Sequence, residues 1–337
     1  MNLTSQTKKL IQQAGKVYAE NFPKTCYFER AIFLSWYCSL GDCTFCYMST
    51  QKDKIKDPKK ARRRLSSVLA EVLLSKKLNW KIEFLSAGYG AYTFPELLEI
   101  VKKCSLLAQE KLWLNIGYLN QREIKLLLPF IKGVSASIET VNWKLRKKIC
   151  PSKPLPPILE TLKLAEEYKL KKSITIIIGL GEKIEDLSEL FQLIEQYKLD
   201  RITFYSLNPH PGTPFQTSPK SDYYLQWIAQ TRIKFPKLEI IAGSWTDRLE
   251  EFPLLLKAGT NSFTKLPATR FSGTTKARKL EENLLTTGRT LQSTLSTLPK
   301  ITEQKIFGLS PDLSKETLAK LKIYLKKMEN NIKAANN

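Results

Sequence analysis

Three cysteine residues in one short segment are the side chains of this chain best suited to chemistry. Cys38, Cys43 and Cys46 lie in the run Tyr-Cys-Ser-Leu-Gly-Asp-Cys-Thr-Phe-Cys-Tyr, directly after a strand-like run that ends at Trp36. Three thiolates on one loop can bind three irons of a [4Fe–4S] cluster and leave the fourth iron without a protein ligand. An open iron of that kind can chelate a small molecule. The pattern therefore predicts an iron–sulfur site where a strand ends, which is where barrel and open α/β enzymes carry their chemistry.

Zinc binding and disulfide formation are the two other uses of such cysteines. Cys-x-x-Cys is also half of a zinc site, but a structural zinc needs a fourth nearby Cys or His. The next cysteine along the chain is Cys104 and the only histidine is His210. A disulfide is disfavoured because the thiols crowd one loop and no apolar signal-peptide segment opens the chain. An iron–sulfur cluster accounts best for the three thiols.

Composition limits the classes of protein that this chain can form. Apolar residues make up 42% of 337 residues, which is enough for a large core. No apolar run approaches the ~20 residues of a membrane span, so we expect a cytoplasmic protein with no membrane partner. The formal net charge of +22 favours an acidic partner, unless the lysines are simply solvated on helix faces. Nucleic acid is disfavoured because the densest basic runs, 54–64 and 315–333, lack the interleaved aromatic residues of a stacking platform.

Short apolar runs alternate with amphipathic helical runs through most of the chain, as in a buried parallel sheet. Eight such runs are strand-like: Ala31–Trp36, Lys81–Ser86, Leu112–Tyr118, Val134–Glu139, Ser173–Gly179, Ile202–Leu207, Leu238–Gly243 and Asn261–Leu266. Eight strands with intervening helices predict an α/β fold of the (β/α)8 TIM-barrel type. We place the barrel at residues 30–273, after an N-terminal helical segment at 1–29 and before a helical C-terminal extension at 274–337.

The cysteine loop resembles that of the radical S-adenosylmethionine (SAM) superfamily. That family separates its cysteines by three residues and then by two, whereas this chain has four and then two. The resemblance implies a [4Fe–4S] cluster and SAM as cofactors. The cluster would cleave SAM reductively to methionine and a 5′-deoxyadenosyl radical, which abstracts hydrogen from a substrate. The protein would hold SAM and shield the radical, and an electron donor such as ferredoxin would be a partner.

The same resemblance gives SAM-binding roles to residues on several strand ends. Phe45 and Ile177 would pack on the adenine. The turn at Gly88 and Gly90 would bring a backbone carbonyl to the SAM amino group, because glycine permits close approach. Gly179, in a run similar to the strand-five signature of the family, would shape the following loop.

The fourth strand is expected to supply polar groups for the SAM ribose and carboxylate. Ser137 and Glu139 alternate onto one strand face, and the resemblance places them near the ribose. Arg146 could pair with the carboxylate through two parallel hydrogen bonds. Glu139 could instead form a salt bridge with a neighbouring lysine. His210, on the loop after the sixth strand, could be structural or could contact substrate.

The C-terminal half of the barrel is similar to that of biotin synthases, although their auxiliary-cluster cysteines are missing here. Together with the four-then-two spacing, this half resembles the archaeal two-protein lipoyl synthases. That resemblance implies a sulfurtransferase that inserts sulfur at C6 and C8 of an octanoyl chain. The partners would be an acidic octanoylated lipoyl carrier protein, attracted by the positive charge, and a paralogous radical SAM enzyme.

Sulfur insertion of this kind uses an auxiliary iron–sulfur cluster as the sulfur source. The candidate ligands of such a second cluster are Cys26, Cys150, Ser244 and Ser272. Two alternatives stay open: a single-cluster radical SAM enzyme of cofactor biosynthesis, and a tRNA-modifying radical SAM enzyme whose basic surface holds the RNA.

Overall fold

The chain folds into a closed barrel of eight parallel strands. The computed structural model describes residues 2–298 and 308–336. Each strand pairs in parallel with the next one along the chain, and β1 pairs with both β8 and β2, which closes the barrel. The predicted (β/α)8 fold is therefore confirmed. The strands are β1 Thr25–Phe33, β2 Lys81–Ser86, β3 Leu112–Asn115, β4 Ile131–Glu139, β5 Lys171–Ile178, β6 Arg201–Ser206, β7 Glu239–Gly243 and β8 Ser262–Thr264.

Helices surround the barrel and bury their apolar faces against the sheet. Two of them begin with a capping box, in which Thr93 with Glu96 and Asn120 with Glu123 satisfy free backbone N–H groups. The helices are α1 Ser5–Asn21, α2 Leu65–Lys77, α3 Phe94–Ala108, α4 Gln121–Leu127, α5 Trp143–Ile149, α6 Leu155–Glu167, α7 Leu187–Tyr197, α8 Ser221–Lys234, α9 Glu251–Lys257, α10 Ala268–Phe271, α11 Thr275–Leu285 and α12 Pro311–Asn336. Within the described ranges, no helix is long and apolar enough to cross a membrane.

Both terminal segments pack on the barrel. Helix α1 contacts α8 and α9, and α12 contacts α2 and α10. A ninth strand, β9 (Thr290–Leu291), pairs with the first residues of β1. The segment after residue 274 is therefore mostly helical but also extends the sheet by one short strand.

The first strand is longer than its sequence pattern indicates. It begins at Thr25 rather than at Ala31, so it crosses the expected boundary between residues 29 and 30. Glu29 and Arg30 look like loop residues in the sequence because they interrupt the apolar run. In the structure, Glu29 forms an ion pair with Arg201 and Arg30 forms one with Glu71, which allows a charged stretch to continue as a strand.

Charged and polar side chains fill part of the barrel interior. The Glu83 carboxylate, fully buried on β2, accepts hydrogen bonds from the hydroxyls of Tyr205 on β6 and Thr264 on β8, the latter at 2.6 Å. Burial and the adjacent Glu83 carboxylate raise the pKa of Tyr205 well above its ordinary value, so the phenol stays protonated as a donor. Because buried polar groups need hydrogen-bonding partners, an interior of this kind is better suited to binding a polar ligand than to forming an apolar core.

Candidate active site

A cavity of about 760 Å³ opens at the carboxyl ends of the strands. Its walls bring together the cysteine loop and residues from the ends of seven strands, which is the expected position of an active site in a barrel of this type. Its size is within the range of small-molecule and cofactor sites. The residues that line it include Cys38, Cys43, Cys46, Phe45, Gly88, Tyr89, Asn115, Ser137, Glu139, Lys153, Ile177, Tyr205, His210 and Lys265.

Backbone hydrogen bonds fix the cysteine loop to two neighbouring loops. The Ser39 N–H donates to the Tyr89 carbonyl and the Thr44 N–H donates to the Ile149 carbonyl, both at 2.8 Å. Gly88 has no room for a side chain: a Cβ there would lie 2.2 Å from the Tyr37 carbonyl oxygen and 2.7 Å from Cys38 Cβ. Glycine at this position therefore allows the β2 turn to lie directly against the cysteine loop.

The three loop thiols suit a cubic cluster better than a single metal ion. All three are free, partly exposed and on the cavity wall. Among residues 2–298 and 308–336, no three Cys, His, Asp or Glu side chains converge as the ligands of one ion would. A cube binds each thiolate through a different iron, so its ligands need not converge. Burial raises the pKa of the Cys46 thiol to about 11, so metal binding there would displace a proton.

Apolar residues predicted to contact adenine pack together beside the cysteine loop. Phe45 and Ile177 lie against the same buried group as Leu207 and Cys150, and both face the cavity. Gly179 lies behind this wall, with a φ of +110° and with its N–H donating to the Glu182 carboxylate at 2.7 Å. A Cβ on Gly179 would lie 2.9 Å from Pro219 Cδ. The structure thus gives Gly179 a role in the shape of the turn.

The end of β4 carries a polar pair on the cavity wall. The Ser137 hydroxyl donates to the Asn115 side chain at 2.7 Å. Glu139 adopts a φ of +71°, unusual for a residue with a side chain, where the β4–β5 register shifts. Its carboxylate lies 2.5 Å from Lys153 Nζ. Glu139 therefore forms the salt bridge with a neighbouring lysine that the sequence analysis considered, and its carboxylate also faces the cavity.

Arg146 does not reach the cavity. Asn142 caps α5 and turns Arg146 back under β4, where its Nε donates to the Ile138 carbonyl at 2.9 Å and its Nη1 to the Lys153 carbonyl at 3.1 Å. Arg146 therefore braces the segment that carries Lys153, and at this strand end Lys153, rather than Arg146, faces the cavity. Burial lowers the pKa of Lys153, but the neighbouring Glu139, Cys43 and Tyr89 side chains together more than offset this effect, and the net shift is upward. Sequence reasoning missed Lys153 because it lies in a loop with no motif.

The four residues considered for a second cluster lie in separate places. Cys26 is in the first half of β1, at the opposite end of the barrel, near Tyr18 and Arg289; burial raises its pKa to about 11. Cys150 is buried against Cys43. The Ser244 hydroxyl donates to the Glu251 carboxylate. Ser272 is buried at the end of α10, where its carbonyl accepts a hydrogen bond from Asn331.

Aromatic side chains border the cavity and were not identified from the sequence. Trp36 stacks on Phe33, and Tyr47 contacts both Trp36 and His210 edge to face. Within the part of the chain that the structure describes, the buried Tyr89 hydroxyl has no hydrogen-bond partner, and burial raises its pKa to about 12. A neutral donor without a partner at this position is available to a ligand.

A closed parallel barrel with three cysteines after its first strand is the architecture of enzymes that bind an iron–sulfur cluster at the strand ends. Comparison with known proteins identifies the class. Residues 34–194 match the model of the radical SAM superfamily, and residues 203–300 match the Biotin and Thiamin Synthesis associated domain. This chain belongs to the radical SAM superfamily, in its biotin synthase-like branch. Membership implies a [4Fe–4S] cluster and SAM, and the arrangement of Cys38, Cys43 and Cys46 fits them.

Within the superfamily, similar proteins include one that covers most of the chain. It is an uncharacterized protein of Methanocaldococcus jannaschii, 44% identical over 308 residues, which are 90% of this chain and 85% of the relative. Biotin synthase of Nitrosopumilus maritimus is 27% identical over 65% of this chain and 69% of its own. The crystal structure of methylornithine synthase has a TM-score of 0.72 at 19% identity, covering 86% of this chain and 90% of that one, and shares the fold.

Proposed function

We propose that this protein is a radical SAM enzyme with one cluster, which abstracts hydrogen from a small polar molecule bound inside the barrel. The observation that carries the proposal is one continuous cavity, with the three loop thiols on one wall and charged side chains on the others. When bound, the cluster and SAM supply a 5′-deoxyadenosyl radical. The chain's own residues would hold SAM, exclude water and position the substrate.

SAM would lie along β4 and β5 beside the cysteine loop. The Phe45 and Ile177 side chains offer an apolar surface for the adenine. Ser137 and Glu139 offer polar groups at the adjacent strand end. Lys153 and the unpaired Tyr89 hydroxyl are donors suited to a carboxylate. Trp36 and Tyr47 border the mouth and would limit the access of water to the radical.

The composition of the cavity wall favours a polar substrate over an alkyl chain. Five basic residues line it against two acidic ones: Arg30, Arg63, Lys153, Lys265 and Arg270, against Glu71 and Glu139. Arg30, Arg63 and Lys153 already pair with the two acids. An octanoyl chain would desolvate the remaining ammonium of Lys265 without compensation, which is costly. The separate positions of the second-cluster candidates likewise favour single-cluster chemistry.

Sulfur insertion into a protein-bound octanoyl chain is the second candidate, favoured by the match to the Biotin and Thiamin Synthesis associated domain. In that case the auxiliary cluster that supplies the sulfur would have to be held by ligands other than the four considered, or by a paralogous partner. An acidic octanoylated carrier would be attracted by the net charge of +22. In either case, an acidic ferredoxin-type donor would benefit from the same attraction.

Iron content after anaerobic reconstitution separates the two candidates. The wild type should bind about four irons and cleave SAM with dithionite, and a C38A/C43A/C46A variant should bind none. C104A is the matched control, since Cys104 is a buried cysteine of α3, and it should keep the wild-type iron content. About eight irons in the wild type and four in the triple variant would overturn the single-cluster proposal in favour of sulfur insertion. Absence of SAM cleavage in a loaded wild type would contradict both.

A further inference from the structure

Lys265 is a lysine on the cavity wall in an unusual position. It directly follows β8 and adopts a φ of +78°, a conformation that residues with side chains rarely accept. Its Nζ lies over two aromatic rings, 4.1 Å from the centroid of Tyr205 and 5.3 Å from that of Phe33. Strained residues persist where the surrounding structure enforces them, and they are concentrated at functional sites.

Among the described residues, no carboxylate oxygen lies within 4.0 Å of Lys265 Nζ, so Lys265 forms no ion pair with them. The nearby Glu83 carboxylate is occupied by the hydroxyls of Tyr205 and Thr264. The other acid on this side, Glu71, is shared by Arg30 and Arg63. Lys265 therefore retains its hydrogen-bonding capacity for something inside the cavity.

The surroundings of Lys265 make its charge costly in the absence of a ligand. Burial lowers its pKa, an effect that the Glu83 carboxylate opposes and the Arg30 guanidinium reinforces. A buried charge is normally paired or hydrogen-bonded. An anion next to Nζ would supply the missing partner.

We propose that Lys265 binds a carboxylate group of the substrate and orients the substrate below the SAM site. Nζ lies over the rings of Phe33 and Tyr205, and flat aromatic faces can pack against a planar carboxylate. A phosphate would need more donors, and the neighbouring Arg30 is committed to Glu71. This inference rests on the proposed function in that it takes the cavity for a substrate cavity.

Anion-dependent thermal stability tests the inference without turnover. The reconstituted protein, with saturating SAM so that the SAM carboxylate site is filled, is melted anaerobically in increasing sodium acetate. Chloride keeps the ionic strength constant, and a second series uses inorganic phosphate. Binding to the folded state raises the melting temperature with ligand concentration. We expect acetate to stabilise the wild type more than phosphate does.

Three variants make the result specific. Lys265→Met should weaken the apparent acetate affinity at least about tenfold, and Lys265→Arg should keep part of it. Lys81→Met is the control, because Lys81 also lies 4.0 Å from a tyrosine ring, that of Tyr27, but at the start of β2, away from the cavity. It should respond like the wild type.

Several results would overturn the inference. These are an unchanged acetate response in Lys265→Met, a stronger response to phosphate, or no acetate response in the wild type. If Lys265→Met does not fold, Lys265→Arg decides the matter: an acetate response weaker than that of Lys81→Met supports the inference, and an equal response overturns it. Because the assay measures binding, it can fail while SAM cleavage succeeds, so failure of this inference is distinguishable from failure of the proposed function.

Discussion

Replacing Gly88 by alanine should displace the cysteine loop. The new Cβ would lie 2.2 Å from the Tyr37 carbonyl oxygen and 2.7 Å from Cys38 Cβ, whereas ordinary contacts begin at 3.4 Å. The obstacle is largely backbone, so no side-chain rotation can relieve it. The loop or the turn must therefore move by about 1 Å, and overpacking of this kind costs about 1–3 kcal/mol of folding free energy.

The displacement should affect chemistry more than stability. The shift would move Cys38 out of position relative to the other two cluster ligands, Cys43 and Cys46. A misplacement of about 1 Å in an active site can reduce a rate by about a hundredfold. We expect a lower iron content after anaerobic reconstitution and a SAM cleavage rate, per protein, reduced by about that factor. Thermal unfolding of the unloaded protein reports the stability cost separately.

Gly15→Ala provides the control. Gly15 is a glycine of α1, and a Cβ there would lie 3.1 Å from the Lys257 carbonyl oxygen, a tight but tolerable contact. This variant should load iron and cleave SAM like the wild type. If Gly88→Ala matches the wild type in iron content, SAM cleavage and melting temperature, the claim that the turn fixes the cysteine loop is wrong.

Three further predictions concern residues whose contacts are known only from the structure. Glu71→Gln should cost about 3 kcal/mol at neutral pH, because it breaks a buried carboxylate–arginine network. Although burial raises the pKa of Glu71, its two arginine partners lower it overall. The wild type should therefore lose its advantage in urea unfolding as pH falls below about 4.3; a pH-independent difference would contradict this. Lys153→Met should raise the KM for SAM, whereas Arg146→Met should mainly lower the melting temperature; equal KM effects would contradict this division of roles. Cys26→Ala should leave the iron content unchanged, and a loss of iron would show that Cys26 is a cluster ligand.

The barrel could be predicted because its signals are local. A buried parallel strand needs an almost continuous apolar run, and each crossover needs an amphipathic helix. The strand pattern occurs eight times with helical runs between the strands, so the fold class follows from periodicity. The cysteine site could be predicted for a similar reason: Cys38, Cys43 and Cys46 lie within nine residues of each other, and one loop holds all of them.

The start of the first strand could not be predicted from local pattern. Glu29 and Arg30 break the apolar run, and only partners far along the chain, Arg201 and Glu71, make their burial possible. Burial of a charge depends on what is packed against it, which a local window of sequence does not contain.

The amino-acid sequence is enough to predict the fold class, the three cluster thiols and the radical SAM resemblance, since each depends on residues close together in the chain. Tertiary structure alone decided which charged groups face the cavity. It turned Arg146 under β4, brought Lys153 to Glu139, placed Cys26 at the far end of the barrel and left Lys265 without an acidic partner among residues 2–298 and 308–336. Side-chain direction and the pairing of buried charges are set by contacts between distant segments, and these exist only once the barrel has closed.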